Sequence, residues 1–258
     1  MMRMSLVLLV GMILTAPVPG RAAEAACELR VGWEPYAPYT YADDGGGVTG
    51  ADIELIRALA GEVGCTVEFA QLPWARILRE IEHGTLDVST STSWTVERTA
   101  WARFSEPYRE TEMAIYVRRD ELGRFDLQSL ADIAPKRFRL GVITDYYYGE
   151  EYQALAEDPR YAPWIDGATD YATNIRKLIS GRIDGYLVED IRVMEAELAR
   201  LGLADRVARY PLPIKGEQLR FMFSRQTVGR GVVAAIDAAI ERMRVDGRLA
   251  AITSRFLR

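Results

Sequence analysis

Residues 51–69 read Ala51-Asp52-Ile53-Glu54-Leu55-Ile56-Arg57-Ala58-Leu59-Ala60-Gly61-Glu62-Val63-Gly64-Cys65-Thr66-Val67-Glu68-Phe69. Ile53, Ile56, Leu59, Ala60 and Val63 recur at the spacing of one helix face, Gly64 ends the run, and Val67-Glu68-Phe69 reads as a strand. Upstream, Leu29-Arg30-Val31-Gly32 is a first strand, followed by an aromatic loop from Trp33 to Tyr41 and the turn Asp43-Asp44-Gly45-Gly46-Gly47. Downstream, Trp74, Ile77, Leu78 and Ile81 mark a second helix that ends near His83-Gly84, before a short strand around Leu86-Asp87-Val88-Ser89. Strand, helix, strand, helix, strand predicts an α/β unit with a parallel sheet, whose ligand sites lie outside the carboxyl ends of the strands.

A second series follows Arg118-Arg119-Asp120. It comprises a strand Phe138 to Ile143, a helix from about Gly149, a strand near Ala168, a helix from Thr173 to Ser180 and a strand Gly185 to Val188. The chain ends with a strand at Leu219 to Phe223 and an amphipathic helix carrying Val232, Val233, Ile236, Ile240 and Met243. No fixed-period repeat is visible.

The 258 residues are 49% hydrophobic and 27% charged, which excludes disorder. A net charge of −5 with scattered basic residues excludes the basic footprint that nucleic acid requires. Met1 to Gly20 has Arg3 followed by the apolar run Leu6 to Thr15, too short to span a bilayer, and Ala23-Glu24-Ala25 has the small-x-small form of a cleavage site. This predicts a signal peptide over 1–25, cleaved near Ala25, and an exported chain. Cys27 and Cys65, the only cysteines, then meet an oxidising compartment, and each precedes a strand, so a single disulfide is expected.

Much chemistry can be set aside. Gly45 to Gly50 formally spells G-x-G-x-x-G, but it lies a dozen residues past its strand and beside Asp43 and Asp44, so it reads as a surface turn. His83 is the sole histidine, placed to cap a helix end, and with two paired cysteines no metal constellation and no cofactor is expected. What remains is Ser89-Thr90-Ser91-Thr92-Ser93, five hydroxyls at a strand end that suit a polar ligand, followed by Arg98, whose rigid fork suits a carboxylate.

At this point the chain resembles the family 3 extracellular solute-binding proteins, the amino-acid-binding components of ABC importers. The resemblance runs from Leu29 onward. It is carried by Tyr36-Ala37-Pro38-Tyr39, Thr49-Gly50-Ala51-Asp52, Gly84-Thr85-Leu86-Asp87, Thr95-Val96-Glu97-Arg98, Phe104-Ser105-Glu106-Pro107-Tyr108, Gly181-Arg182-Ile183-Asp184 and Asp246-Gly247-Arg248-Leu249 in that order. It implies the two-lobe fold of type II periplasmic binding proteins, each lobe a mainly parallel sheet flanked by helices, joined by a two-strand hinge. The expected lobes are 27–117 plus 214–258, and 118–213.

The resemblance also implies roles. Arg98 would clamp an α-carboxylate beside Ser91 and Ser93, Tyr36 and Trp74 would pack on the ligand, and Glu189 or its neighbour Asp190 would meet an α-ammonium. Where such proteins carry small hydroxyl residues in the second lobe, this chain has Asp145-Tyr146-Tyr147-Tyr148-Gly149. Tyr146 and Tyr147 therefore narrow the cleft and add stacking surface for a ring or a cation. The function expected is a monomeric periplasmic substrate-binding protein that captures a small polar or zwitterionic solute for an ABC permease in the inner membrane, without chemistry of its own. The alternatives are an enzyme resembling cyclohexadienyl dehydratases on the same scaffold, and a sensing module for a separate receptor.

Overall fold

The computed structural model describes residues 27–257, so the expected signal peptide and its cleavage site lie outside the described residues. Alternation sets the first strand: in β1 (Cys27–Trp33) Leu29, Val31 and Trp33 point into the core. A short hairpin, β2 (Tyr41–Ala42) and β3 (Val48–Thr49), is closed by Asp43, which accepts the N–H groups of Gly45 and Gly47 at 2.9 and 2.8 Å. The glycine run is thus the surface turn that the sequence predicts. Then follow α1 (Ala51–Glu62), β4 (Cys65–Gln71), α2 (Trp74–His83) and β5 (Val88–Ser93). Ile53, Ile56 and Leu59 of α1 are fully buried, as their spacing requires.

The chain continues through β6 (Ala102–Phe104), β7 (Arg109–Glu110), β8 (Ala114–Arg118), β9 (Leu140–Ile143), α3 (Gly149–Ala156), β10 (Ile165–Ala168), α4 (Tyr171–Ile179), β11 (Gly185–Val188), α5 (Ile191–Leu201), β12 (Val207–Arg209), β13 (Gln218–Ser224), α6 (Arg230–Val245) and α7 (Arg248–Ser254). Two sheets result. The first has the order β4-β1-β5-β13-β6 with β7 also on β13; the second has the order β10-β9-β11-β8-β12. In each, three parallel strands form one side, with β4 or β10 at the edge, and antiparallel strands form the other. Each sheet has its own apolar cluster, which makes two lobes.

The lobes share a construction that no fixed period in the sequence reveals. In the first, Arg30 donates its backbone N–H and Nε to Asp87 at 2.8 and 2.9 Å and reaches the Gly84 carbonyl at 2.8 Å. In the second, Arg139 makes the same three bonds to Asp184 and Gly181 at 2.9, 2.9 and 2.8 Å. Each lock ties the first strand of the parallel trio to the loop that feeds the third. The helices before these loops start at Trp74 and Tyr171, so both lobes aim an aromatic from the same structural position.

Cys27 and Cys65 stand directly opposite each other in the parallel register of β1 and β4, and their sulfurs are bonded. The disulfide closes a loop across a sequence separation of 38 at the sheet edge. Removing both cysteines as Cys27→Ala/Cys65→Ala should lower unfolding free energy by about 2–4 kcal/mol, read as a lower urea midpoint.

The chain crosses between lobes twice, at residues 111–113 and 213–217. The crossings run side by side: the Thr111 N–H donates to the Glu217 carbonyl at 2.9 Å, and the Glu217 N–H donates to Thr111 Oγ1 at 2.8 Å. By strand pairing the first crossing falls before Ala114, not at 117/118, because Ala114–Arg118 pairs with Gly185–Val188 in the second sheet. A strand belongs where its hydrogen bonds go, and the charged run after it does not show this. Gly216 lies so close to the other crossing that a Cβ there would sit 1.9 Å from the Thr111 carbonyl oxygen. Gly216→Ala should therefore force the crossings apart and destabilise the protein by about 1–3 kcal/mol, measurable as a lowered melting temperature.

Candidate functional site

Between the lobes lies a crevice of about 590 Å³, counting its open mouth, formed at the carboxyl ends of β1, β5, β9 and β11. That is where an open α/β sheet leaves loops free to present side chains. From the first lobe come Glu34, Tyr36, Trp74, Arg98 and the residues Ser89, Thr90, Ser91 and Ser93 of β5; from the second come Tyr146, Tyr147 and Glu189.

Arg98 sits on the turn after β5 and is 9% exposed. Its guanidinium donates to the Ser93 carbonyl at 3.0 Å and to the Asp145 carbonyl of the other lobe at 3.4 Å, and it lies 5.4 Å from the Trp74 ring centroid. Among the described residues it forms no ion pair. Burial pushes it down to about 10, the nearby Asp145 carboxylate opposing, so it stays charged at neutral pH. A buried cation held by carbonyls, with no carboxylate bonded to it, has the chemistry to receive an anion.

Glu189 faces the same crevice from the end of β11 and is 8% exposed. Tyr171 donates to its Oε1 at 2.7 Å, while its Oε2 is buried without a partner among the described residues. Burial pushes this carboxyl up to about 8, against the Tyr171 hydrogen bond. Glu34, in the aromatic loop, receives the Tyr146 hydroxyl at 2.5 Å and the Trp74 backbone N–H at 3.0 Å, one on each oxygen. Burial pushes it up to about 7.

The other expected residues divide. Tyr36 is buried and lines the crevice, its ring edge-on to Tyr171 with centroids 6.2 Å apart. Trp74 meets Tyr146 edge-on at 6.0 Å across the cleft and donates its indole N–H to the Asp145 carbonyl at 2.9 Å. Tyr147 lines the mouth. Ser93 contributes its carbonyl to Arg98. Ser91 lines the crevice in a left-handed conformation, φ 52°, but its hydroxyl donates to Asp52 and accepts from Arg109 at 2.9 Å, so it is a support for the wall. Thr92 turns inward, donating to the Thr90 carbonyl at 3.0 Å.

Asp190, expected beside Glu189 as an alternative ligand contact, lies outside the crevice lining. It begins α5, accepting the Arg192 N–H at 3.0 Å, and is fully buried against Arg109 at 2.9 Å and the Tyr39 hydroxyl at 3.0 Å. Alternation explains it: successive residues leaving a strand face opposite ways, so only one of the pair reaches the cleft. Arg109 also approaches Asp52 at 3.5 Å and lies over the Tyr39 ring at 3.6 Å, and Tyr108 donates to Asp52 at 2.5 Å. This buried network joins the lobes behind the crevice.

Sequence reading missed Glu34, Tyr171 and Arg109. Signals existed for each. Glu34 is the charge inside an aromatic loop, Tyr171 precedes Gly181-Arg182-Ile183-Asp184 as Trp74 precedes Gly84-Thr85-Leu86-Asp87, and Arg109 follows directly on Pro107-Tyr108. Among the described residues no group of three His, Cys, Asp or Glu could hold a metal ion, and no helix is long and apolar enough to cross a membrane.

The sequence profile of the bacterial extracellular solute-binding proteins, family 3, matches residues 29–258. The chain belongs to that family. It is 27% identical over 237 residues to the L-cystine-binding protein TcyJ of Escherichia coli (strain K12), covering 88% of this chain and 82% of that one. Among solved structures it resembles an ancestral arginine-binding protein bound to arginine, with a TM-score of 0.75 and 25% identity over 90% of this chain and 98% of that one. It also resembles the ancestral amino-acid-binding protein AncCDT-1, described as a precursor of cyclohexadienyl dehydratase, with a TM-score of 0.71 and 25% identity over 90% and 96%. The family member at hand therefore has the fold of amino-acid-binding proteins, with Arg98 and Glu189 on opposite walls.

Glu34 and Glu189 carry a consequence for stability. Their ordinary value is 4.5, and folding raises them to about 7 and about 8, so between those limits the native chain holds protons that the unfolded chain has released. Stability contributed by these groups is therefore present in acid and lost as pH rises through the two folded values. Without added solute, the melting temperature should fall between about pH 5 and about pH 8.5, and Glu189→Gln should flatten that fall.

Proposed function

We propose that this chain is a periplasmic substrate-binding protein that captures a small polar, amino-acid-like solute by hinge closure and delivers it to the permease of an ABC importer. The observation that carries this reading is Arg98: a buried guanidinium, free of carboxylate partners among the described residues, in a crevice whose facing wall holds Glu189. An α-carboxylate on Arg98 and an α-ammonium at Glu189 would satisfy both, and because the two come from different lobes, the solute is gripped fully only when the lobes are together. Tyr36 and Trp74 supply apolar walls for the rest of the solute. The relatives' names, L-cystine-binding and arginine-binding, support an amino-acid ligand. The signal peptide reading supports export to the periplasm.

A second reading has one observation in its favour. Glu189, pushed up to about 8, carries a proton at neutral pH and could act as a general acid in a dehydratase. Turnover of prephenate or arogenate by the purified protein would establish that reading, and stoichiometric binding without product would exclude it.

The main test is calorimetric titration of an amino-acid panel. Arg98→Ala should weaken the strongest binder by roughly 100-fold, about 3 kcal/mol for loss of a buried charge-assisted contact, while leaving the fold intact by circular dichroism. Unchanged affinity would remove the basis of the proposal.

A further inference from the structure

We propose that the two lobes clasp each other directly, through Asp145 and Tyr146 in the loop after β9, so that the empty protein rests in the closed form. The clasp is built from protein groups alone, and it stands or falls independently of which solute the crevice takes.

Strand order places this loop away from the hinge. In the second sheet β8 enters beside the crossings, and β9 lies two strands beyond it, roughly 10 Å at the usual strand spacing. In the first sheet β13 adjoins the crossings, whereas Glu34 and Trp74 follow β1 and β4, the strands furthest from it. Rotation about the crossings therefore separates these loops before anything near the hinge. The Arg109–Asp190 pair is different. Ile191, the residue after Asp190, donates its backbone N–H to the Glu112 carbonyl in the first crossing at 2.9 Å, so that pair sits at the hinge itself.

Three hydrogen bonds join the lobes at the far side. The Asp145 carbonyl accepts the Trp74 indole N–H at 2.9 Å and the Arg98 guanidinium at 3.4 Å, and the Tyr146 hydroxyl donates to Glu34 at 2.5 Å. The Trp74 and Tyr146 rings meet edge-on at 6.0 Å between them. Asp145 holds φ 65°, a left-handed conformation uncommon outside glycine, and its carbonyl reaches the first lobe from there. In every one of these contacts the two partners come from opposite lobes, so each exists only while the lobes are together. An intramolecular hydrogen bond is worth a factor of about 2 to 10 in an equilibrium constant, so three bias the lobes toward closure by roughly 10- to 1,000-fold. A solute then enters only after the clasp has opened, and the closed population already present in the empty chain sets part of its affinity.

The test needs no ligand. The full disulfide-bonded protein is freed of any carried solute by unfolding in guanidinium chloride, dialysis and refolding, and small-angle X-ray scattering is recorded on the empty chain. The wild-type curve should match the one calculated from the closed structure. Trp74→Phe/Tyr146→Phe, which keeps both rings and deletes the indole N–H and the hydroxyl, should lower the closed-to-open ratio by roughly 5- to 100-fold, read as a larger radius of gyration with an unchanged circular dichroism spectrum. Tyr146→Phe alone should move the radius in the same direction. A wild-type curve broader than that of the closed structure overturns the clasp, and this comparison requires no variant to fold. A compact wild type whose folded variants are equally compact overturns it too, since the hinge alone then holds the lobes together.

Discussion

A guanidinium removed from water costs several kcal/mol unless an anion or a full set of acceptors receives it. Arg98 is removed from water and has two carbonyls, one from each lobe, and no carboxylate. The rest of the site follows from that constraint. β5 has to end where its carbonyls can hold the guanidinium, and the loop after β9 has to turn at Asp145, φ 65°, to present another. Under the proposed function, the remaining deficit is what an anionic solute would remove, and the same unsatisfied charge would supply affinity.

Arg109 shows the opposite outcome for the same residue type. It is equally buried but fully committed: Asp190 from the second lobe, Asp52 and the Ser91 hydroxyl from the first, and the face of Tyr39 beneath it. Burial, the largest single influence, would lower its affinity for a proton, yet the Asp52 carboxylate together with Tyr108, Tyr39 and Tyr36 holds it above its ordinary value. One arginine is spent on joining the lobes and the other has no carboxylate partner among the described residues. Which is which depends on where the carboxylates stand in space.

The two lobes are variations of one unit, with three parallel strands, an arginine–aspartate lock and an aromatic at a helix start. Each then takes an antiparallel strand from near a crossing: β13 returns to the first sheet beside β5, and β8 enters the second beside β11. The crossings lie next to those strands, and there Thr111 and Glu217 are bonded beside a glycine that leaves no room for a side chain. Trp74 and Tyr171, equivalent in construction, end in different roles. Trp74 packs under Arg98 and Tyr171 orients Glu189.

The alternation of strands and helices, the glycine stops, the cysteine pair and the position of Arg98 were legible in the sequence, because periodicity and local turn chemistry are properties of neighbours along the chain. So was the family, through motifs kept in order from Leu29 to Leu249. The strand Ala114–Arg118 was assigned to the wrong side of the hinge, since pairing joins residues far apart in sequence. The separation of Glu189 from Asp190, the diversion of the Ser91 hydroxyl to Asp52 and the entry of Glu34 into the crevice were likewise decided by tertiary structure. Each depends on which face a side chain takes and which distant charge it meets, and charge compensation in a buried site is a sum over three-dimensional neighbours that one-dimensional spacing does not contain.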